Sequence, residues 1–259
     1  MDLNGKVAVV TGGGSGIGAG IAEALLEKGV RVAIADISAA HMAEENERLG
    51  GRLLTVALDV TDPASWAAMK AEVEGKLGPV DVLVNNAGLS HPFKPIEDVA
   101  DAEYDRLMAV NVKGVFLGCK AFVGGMKARR SGHVVNVSSA NGLIPFGTFS
   151  VYSASKFAVA GMSEALHQEL APHGVGVSIL YPGLTKSRMA DQQVGRISSM
   201  VPMGAVWLGR AVCRAIEDNR LHVISHPDMK PAIERRIDVL FGDFGEPAEP
   251  GYRGAMPRV

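Results

Sequence analysis

Short apolar runs, each followed by a segment with helical spacing, recur along this chain from its first residues. The runs lie at residues 7–10, 30–35, 53–58, 80–84, 134–137 and 175–180, with a shorter one at 221–224. Val, Ile, Leu and Ala fill them almost without interruption, which is typical of strands buried on both faces. Such strands require helices on both sides of a parallel sheet, so the sequence predicts an α/β fold.

The intervening segments repeat their apolar residues with the period of a helix. They cover residues 16–28, 64–76, 103–127, 152–171 and 205–218. Gly29 suits the end of the first segment, and Asp62-Pro63 suits the start of the next. No internal repeat or flexible linker interrupts the pattern. A chain of 259 residues fits one large domain, which we predict over residues 1–259.

Composition limits the partners and the setting. A net charge of −2 gives no general attraction to nucleic acid, and the basic run at 127–130 suits a helix C-terminus better than a nucleic-acid patch. No apolar run approaches the roughly 20 residues of a membrane helix, so we expect no membrane partner. Cys119 and Cys213 form no CxxC motif and no targeting segment is evident, which favours the cytoplasm. No metal-ligand spacing is present.

A glycine-rich turn, VVTGGGSGIG, joins the first strand to the first helix. Gly12, Gly16 and Gly18 stand in a TGxxxGxG pattern, with Ser15 and Ile17 between them. Glycines permit positive φ and let backbone N–H groups approach a pyrophosphate at a helix N-terminus. The spacing differs from the standard G-x-G-x-x-G fingerprint, so a flexible loop remains the alternative interpretation.

Asp36 ends the second strand. A carboxylate at this position accepts hydrogen bonds from both hydroxyls of a nucleotide ribose and repels a 2′-phosphate. No Arg or Lys occupies the glycine turn or the three residues after Asp36, so the sequence favours NAD over NADP as cofactor. The alternative role for Asp36 is a helix N-cap, which Ser38 could equally provide.

Two further polar groups follow apolar runs. Asp59-Val60 ends the third run, and Asn85-Asn86-Ala87-Gly88 ends the fourth. Open α/β sheets bind ligands at the carboxyl ends of their strands, so both groups are candidates for cofactor contact. The alternatives are a turn residue for Asp59 and a loop that satisfies its own backbone for the two Asn residues.

Ser139, Tyr152 and Lys156 bring together a hydroxyl, a phenol and an ammonium group. Such a set can move a proton to or from an alcohol oxygen. Tyr152 and Lys156 lie one helical turn apart and share a helix face, although any amphipathic helix can contain such a pair. A free tyrosine has a pKa near 10, and a nearby ammonium favours its ionised form.

These motifs together resemble the short-chain dehydrogenase/reductase family, over about residues 6–187. The resemblance rests on TGGGSGIG, Asp59-Val60, NNAG, Asn111, the Ser139, Tyr152 and Lys156 set, and Pro182-Gly183. It implies a single doubly wound Rossmann-like domain whose parallel sheet has about seven strands in the order 3-2-1-4-5-6-7. It also implies a homodimer or homotetramer, with the helices of Asn111 and Tyr152 at the dimer interface.

The resemblance also implies roles for single residues. Tyr152 would be the catalytic acid and base, Lys156 would bind the nicotinamide ribose, and Ser139 rather than Ser138 would hold the substrate oxygen. Asn111 would position a water beside Lys156. The remaining cofactor contacts implied are Asn86, Ala87, Gly88, Pro182, Gly183, Thr185 and Ser187.

Three stretches are expected to surround a small-molecule substrate: residues 89–93, residues 141–149, and the segment after Ser187. The second contains Leu143, Ile144, Pro145, Phe146 and Phe149, and the third contains Met189, Met200, Val201, Met203 and Trp207. Their apolar character suggests a hydrophobic substrate, unless many of them are core or subunit contacts. His91 is either a substrate ligand or an ordinary loop residue. Arg188 and Arg196 leave an acidic substrate group as the lesser alternative.

The C-terminal third departs from the family pattern. Residues 186–204 resemble a lid, but the Val-Asp-Gly-Gly-like run that many members carry after the last strand is absent. A Pro turn and a helix with Ile233, Ile237 and Leu240 on one face replace it, within a C-terminal segment of about residues 226–259. The end of this segment is either a frayed terminus or an arm over a neighbouring subunit.

The sequence thus predicts an NAD-dependent oxidoreductase that interconverts a hydrophobic secondary alcohol and its ketone, with oxidation the favoured direction. Two alternatives stay open. One is a biosynthetic 3-oxoacyl-type carbonyl reductase, and the other is an NAD-binding sensor without catalysis.

Overall fold

A computed structural model of the chain describes residues 1–187 and 202–243. It forms two compact units, Met1–His226 and Pro227–Val259, each treated by itself below. In the first unit seven parallel strands pair in the order β3-β2-β1-β4-β5-β6-β7, as predicted. The strands are β1 Val7–Thr11, β2 Arg31–Asp36, β3 Leu54–Ala57, β4 Val82–Asn85, β5 Gly132–Val137, β6 Val175–Tyr181 and β7 His222–Ile224.

Helices connect the strands on both faces of the sheet. In the first unit they are α1 Gly16–Glu27, α2 Ala39–Arg48, α3 Pro63–Leu77, α4 Asp101–Met108, α5 Gly114–Arg129, α6 Ser150–Leu170 and α7 Ala205–Glu217. The side chain of Asp62 caps α3 by accepting from the N–H groups of Ala64 and Ser65. The caps predicted for this helix are therefore present.

Two of these helices differ from the sequence-based expectation. Helix α2 was not predicted, because it is largely polar and buries only Met42 and Glu45. The helix predicted at 103–127 is interrupted by a π-helical turn, Ala109–Lys113, which separates α4 from α5. A single-turn π segment inside a helix is frequent at functional sites.

The sheet has an apolar layer on each face because successive side chains of a strand point to opposite sides. In β1, Ala8 and Val10 pack with α1 and α7, whereas Val7 and Val9 pack with α3 and α5. All five β1 residues are buried. This two-sided burial is the reason that the strands read as unbroken apolar runs.

The continuous helical segment Asp101–Arg129 is long and apolar enough, by length and composition, to cross a membrane. The core helix of a soluble protein passes the same test. Here Val115, Leu117, Phe122 and Met126 of α5 are buried in the core layer beneath the sheet. We therefore interpret this segment as a core helix.

The second unit contains one described α-helix, α8 Lys230–Gly242, after a short 3-10 turn at Pro227–Met229. The helix lies where the sequence predicted one, and none of its residues is buried. Ile237, Val239, Leu240 and Phe241 are among its exposed apolar side chains. The predicted irregular tail at residues 244–259 falls outside the described residues.

Helices α1 and α7 pack through glycines, which generates a stability prediction. A Cβ on Gly20 would lie 2.3 Å from the carbonyl carbon of Ala205, and a Cβ on Gly209 would lie 2.3 Å from the carbonyl oxygen of Gly20. We expect Gly20→Ala to lower the free energy of unfolding by about 1–3 kcal/mol, because the helices must separate. Urea denaturation measures this change.

Gly161→Ala is the matched control. Gly161 also lies within a helix, but a Cβ there meets nothing within 4 Å. The control should gain up to about 1 kcal/mol from the helix propensity of alanine. Equal stabilities of the two variants would contradict the proposed packing.

Candidate functional site

A cleft of about 550 Å³ opens where the strands end, and most of the predicted site residues line it. Those residues are Gly12, Ser15, Gly16, Ile17, Asp36, Asp59, Val60, Asn86, Ala87, Gly88, Tyr152, Lys156, Pro182 and Ser187. Gly18, Asn111, Ser139, Gly183 and Thr185 are not among the lining residues.

The glycine turn requires its glycines for two different reasons. Gly12 and Gly16 have φ values of +62° and +56°, a region that side chains with a Cβ rarely adopt. Gly18 permits close packing instead, because its Cβ would lie 2.3 Å from the carbonyl oxygen of Gly12. Across the cleft, a Cβ on Gly16 would lie 2.9 Å from the Cβ of Ser187. The turn therefore exposes backbone to the cleft and closes against Ser187.

Asp36 is held beside the glycine turn rather than in a helix cap. Its Oδ2 accepts from the N–H of Gly14 at 3.1 Å, and its Oδ1 accepts from the N–H of Ser38 at 3.0 Å. The hydroxyl of Ser38 caps α2 instead, accepting from the N–H of His41 at 3.3 Å. Each carboxylate oxygen keeps a lone pair for a further donor. This arrangement suits a ribose diol.

Thr11 and Asn86 join β1 to β4 at the floor of the cleft. The hydroxyl of Thr11 accepts from the N–H groups of Asn86 and Ala87 at 2.9 and 3.0 Å. The side-chain amide of Asn86 donates to the carbonyl oxygens of Thr11 and Gly12 at 2.9 and 3.2 Å. Asn86 thus holds the glycine turn in place from the neighbouring strand. Thr11 was not predicted, although it is the T of the TGxxxGxG motif.

Asp59 is both a turn residue and a cleft residue. Its Oδ1 accepts from the N–H and from the hydroxyl of Thr61, at 2.8 and 2.7 Å. These hydrogen bonds lower the pKa of Asp59 below its ordinary value. Val60, which follows, is buried and packs against Gly114, whose Cβ would lie 3.0 Å from it.

Tyr152 lies between Ser139 and Lys156. All three side chains are buried. The Lys156 Nζ lies 5.6 Å from the centre of the Tyr152 ring and donates to the carbonyl oxygen of Val137 at 3.1 Å. Ser139 hydrogen-bonds Tyr152, whereas the hydroxyl of Ser138 donates to the carbonyl oxygen of Lys156 at 2.8 Å. The interaction of Ser139 with the phenol favours Ser139 as the partner of Tyr152, whereas Ser138 is the serine of this pair that lines the cleft.

Burial dominates the electrostatics of this group. Loss of solvent raises the pKa of Tyr152, and the hydrogen bond with Ser139 opposes that rise. Loss of solvent also lowers the pKa of Lys156 to about 8. At neutral pH the protein alone therefore holds a neutral phenol beside an ammonium group that is still mostly charged.

Asn111 occupies the π turn between α4 and α5 and is buried. Its side chain accepts from the N–H of Leu89 at 2.8 Å, and it donates to Leu89 O at 2.9 Å and to the Ser155 hydroxyl at 3.1 Å. These bonds fix the loop after β4 to the helix that carries Tyr152. The predicted role in positioning a water stays a prediction.

An aromatic stack packs against the ring of Tyr152. Phe149 stacks on Tyr152 at 4.5 Å between ring centres, and Phe93 stacks on Phe149 at 4.4 Å. His91 meets Phe149 edge-on at 5.0 Å. It is buried, its Nδ1 lies 2.6 Å from Pro92 O, and its Nε2 has no partner among the described residues. His91 is therefore part of this packed cluster.

The predicted substrate wall at residues 141–149 divides into core and surface. Leu143 packs against Tyr181 and Ile179, and Phe149 is buried beneath Tyr152. Phe146, in contrast, is exposed. Sequence alone could not separate these cases, because core packing and a substrate pocket select the same apolar residue types.

Only part of the predicted lid can be placed. Thr185 is buried and pairs as a bridge with Met203, and its hydroxyl donates to Gly183 O at 3.1 Å. Trp207 is exposed at the start of α7, with the Arg210 guanidinium 5.3 Å from its ring centre. Met189, Met200, Val201, Arg188 and Arg196 fall at residues 188–201, outside the described residues.

The cleft also contains residues that the sequence did not indicate. Arg106 and Val110 lie one helical turn apart and line it, together with Leu58 and Thr61. Among the described residues, two cationic side chains line the cleft, and Arg106 is the second of them after Lys156. Only its place one turn before Val110 on the predicted helix could have pointed to it.

Comparison with known proteins gives a consistent picture. The sequence profile described as short chain dehydrogenase matches residues 6–196. A 3-alpha-(or 20-beta)-hydroxysteroid dehydrogenase of Mycobacterium bovis is 40% identical over 193 residues, covering 73% of this chain and 72% of that protein. A C alpha-dehydrogenase of Sphingobium sp. is 30% identical over an aligned length of 282 residues including gaps, covering 100% of this chain and 92% of that protein.

A solved structure is also similar. A short chain dehydrogenase/reductase from Burkholderia phymatum, crystallised in complex with NAD, is 26% identical to this chain. It superposes with a TM-score of 0.88, covering 96% of this chain and 99% of that chain. The fold of the two proteins is therefore shared over nearly their whole length.

The buried Lys156 generates a prediction about pH. Its pKa is about 8 in the folded protein and near 10.5 in the unfolded chain. Below about pH 8 the amine is charged in both states, and burying that charge lowers the free energy of unfolding by its full amount. As the pH rises toward 10.5 the folded state loses its proton first, so this destabilisation is relieved. Relative to Lys156→Met, wild-type stability should therefore rise by about 2–3 kcal/mol between about pH 7 and about pH 10.

Urea denaturation of both proteins at the two pH values measures this difference. Lys120→Met, at an exposed position of α5, serves as the control for general effects of alkaline pH. Parallel stability profiles of wild type and Lys156→Met would contradict a depressed pKa at Lys156.

Proposed function

Because the chain belongs to the short chain dehydrogenase family, an oxidoreductase family, we propose that it is an NAD-dependent alcohol dehydrogenase or carbonyl reductase. It interconverts a hydrophobic secondary alcohol and its ketone. The observation that carries the proposal is the position of Tyr152, which lines the cleft together with Lys156 and is buried, as are Lys156 and Ser139.

The proposed role of Tyr152 is to give a proton to a ketone oxygen or to take one from an alcohol. The proposed role of Ser139, whose side chain opposes the rise in the pKa of Tyr152, is to hold the same substrate oxygen. The ammonium of Lys156 stabilises the phenolate that remains after Tyr152 donates its proton. Bound NAD would supply the hydride acceptor, or the donor in its reduced form.

The residues of the cleft fit a dinucleotide. The glycine turn offers backbone N–H groups at the start of α1, and Gly12 and Gly16 line the cleft. Asp36 supports NAD rather than NADP, since its carboxylate would repel a 2′-phosphate and its neighbour Ile37 is apolar. The NAD complex of the Burkholderia relative agrees with this preference.

A hydrophobic substrate is supported by the surroundings of Tyr152. Leu89, Val110 and Val137 line the same cleft as Tyr152, and exposed Phe146 belongs to the loop before α6. The relative from Mycobacterium bovis acts, by its name, on hydroxysteroids. We propose a substrate of that general character, without assigning its identity.

A cofactor and substrate screen tests the proposed function. Purified protein is mixed with NAD or NADP and a panel of aliphatic, cyclic, aromatic and steroid secondary alcohols, and the absorbance of reduced cofactor is followed. Ketones with reduced cofactors form the reverse panel. We expect turnover with one class of secondary alcohol, with NADP much weaker than NAD.

Strong use of NADP would contradict the role given to Asp36. Measurable NADH binding without turnover of any compound would favour the cofactor-binding sensor over the enzyme. Turnover of 3-oxoacyl compounds alone would favour the biosynthetic reductase.

Tyr152→Phe separates catalysis from cofactor binding. The substitution removes only the hydroxyl, and the ring stack with Phe149 is retained. We expect kcat to fall by at least about 10²–10⁴-fold, the usual contribution of a positioned acid or base, with the Kd for NADH changed little. Steady-state kinetics and NADH fluorescence titration measure the two quantities.

Tyr104→Phe is the control, because Tyr104 is an exposed tyrosine of α4 and does not line the cleft. It should retain wild-type turnover. Unchanged kcat in Tyr152→Phe would exclude Tyr152 as the acid and base.

A further inference from the structure

The turn formed by Pro182 and Gly183 is hydrogen-bonded to three parts of the chain. Pro182 O accepts from the N–H of Ala140 at 2.9 Å, and Gly183 O accepts from the hydroxyl of Thr185 at 3.1 Å. The N–H of Gly183 donates to the hydroxyl of Ser225 at 3.0 Å. The first bond reaches the residue after Ser139. A displacement of this turn would therefore reach Ser139 and Thr185 together.

Ser225 lies just beyond β7, beside the end of β6. Its Oγ lies 3.2 Å from Tyr181 O and 2.6 Å from His226 Nδ1. The hydroxyl already accepts from Gly183, and its one hydrogen can go either to His226 or to Tyr181. A single side chain thus ties the last residue of β6 to the turn that follows it, and its hydroxyl lies within hydrogen-bonding distance of His226.

The imidazole of His226 also contacts the turn directly. A Cβ on Gly183 would lie 2.6 Å from Nδ1 and 2.8 Å from Cγ of His226. The ring therefore lies against the Cα of Gly183, and only glycine leaves room for it. Hydrogen bonding through Ser225 and contact through His226 act on the same residue.

We propose that Ser225 and His226 are positioning residues for the nicotinamide end of the bound cofactor. They act through the Pro182-Gly183 turn, which leads to Thr185 and Ser187 on the nicotinamide side of the proposed site. The inference rests on the proposed NAD-dependent function. Ser225 and His226 stand where this chain lacks the Val-Asp-Gly-Gly-like run of many relatives, so the pair is a feature of this chain's own sequence.

A merely structural role and a positioning role predict different ligand dependence. If the pair only stabilises the fold, its loss should weaken the binding of every cofactor fragment alike, or none. If the pair positions the nicotinamide end, its loss should weaken the binding of NADH but leave ADP-ribose unaffected. ADP-ribose carries the adenosine, pyrophosphate and second ribose but no nicotinamide.

The test compares the Kd values for NADH and ADP-ribose in the full-length protein by calorimetry. Ser225→Ala removes the hydroxyl, and His226→Phe keeps a flat ring against Gly183 without Nδ1. We expect each variant to raise the ratio of the NADH Kd to the ADP-ribose Kd by about five- to tenfold, as for one lost hydrogen bond. Ser225→Thr keeps a hydroxyl and His226→Asn keeps a hydrogen-bond acceptor. In these two variants the ratio of Kd values should lie much closer to that of the wild type.

His222→Phe is the matched control. His222 lies on β7, shortly before Ser225, but its Nδ1 faces the Tyr181 hydroxyl at 3.4 Å rather than the turn. Its ratio of Kd values should equal that of the wild type. A wild-type ratio in both Ser225→Ala and His226→Phe would overturn the inference.

The failure of this inference is distinguishable from failure of the proposed function. A wild-type protein that does not bind NADH would sink the NAD-dependent function itself, whereas an unchanged ratio with tight NADH binding sinks only the role of the pair. Retained ADP-ribose binding shows that a variant is folded. If Ser225→Ala is not folded by that criterion, the His226 variants decide the question.

Discussion

The parallel pairing of β1 with both β2 and β4 is the constraint on which the cleft depends. The connection after β1 leads to β2 on one side and the connection after β4 leads to β5 on the other, so the two diverge at the carboxyl ends of β1 and β4. Thr11 and Asn86 occupy the gap and bond one strand end to the other. The same bonds fix the glycine turn. The cleft is therefore a consequence of sheet topology, and its floor is held by side chains that the topology brings together.

The second requirement is that charged groups be buried beside this floor. Lys156 is buried and donates to the backbone carbonyl of Val137, and burial lowers its pKa to about 8. A position chosen for stability alone would not hold an ammonium group there. Placing Lys156 close to Tyr152 instead keeps a cation next to a phenol at neutral pH. Burying the Lys156 ammonium group lowers the free energy of unfolding, and this loss is the cost of having that charge in the site.

Much of the fold could be predicted because burial on both faces leaves a simple sequence signal. The strand order followed from the resemblance, and the seven strands lie close to the apolar runs. Helix α2 was missed because its sequence is polar, and the π turn at Asn111 was missed because apolar spacing continues through it. The motif residues Gly12, Asp36 and Tyr152 could be placed from their spacing.

Other parts of the site have no local signal. Phe149 and Leu143 have the composition of a substrate wall, yet the first supports Tyr152 and the second belongs to the core. Ser225 is distant in sequence from Gly183, and only the pairing of β6 with β7 brings the two together. Contacts of this kind depend on tertiary structure, which a pattern read along one segment does not contain.

The electrostatics of Tyr152 bear on the direction of the proposed reaction. A base at neutral pH needs a lowered pKa, but burial raises the pKa of this phenol above its ordinary value of 10. The neutral phenol is already the correct form for donating a proton to a ketone oxygen. Taking a proton from an alcohol requires further positive charge near Tyr152, beyond that of Lys156. The side chains alone therefore prepare the protein as a proton donor, and oxidation should gain more than reduction from alkaline pH.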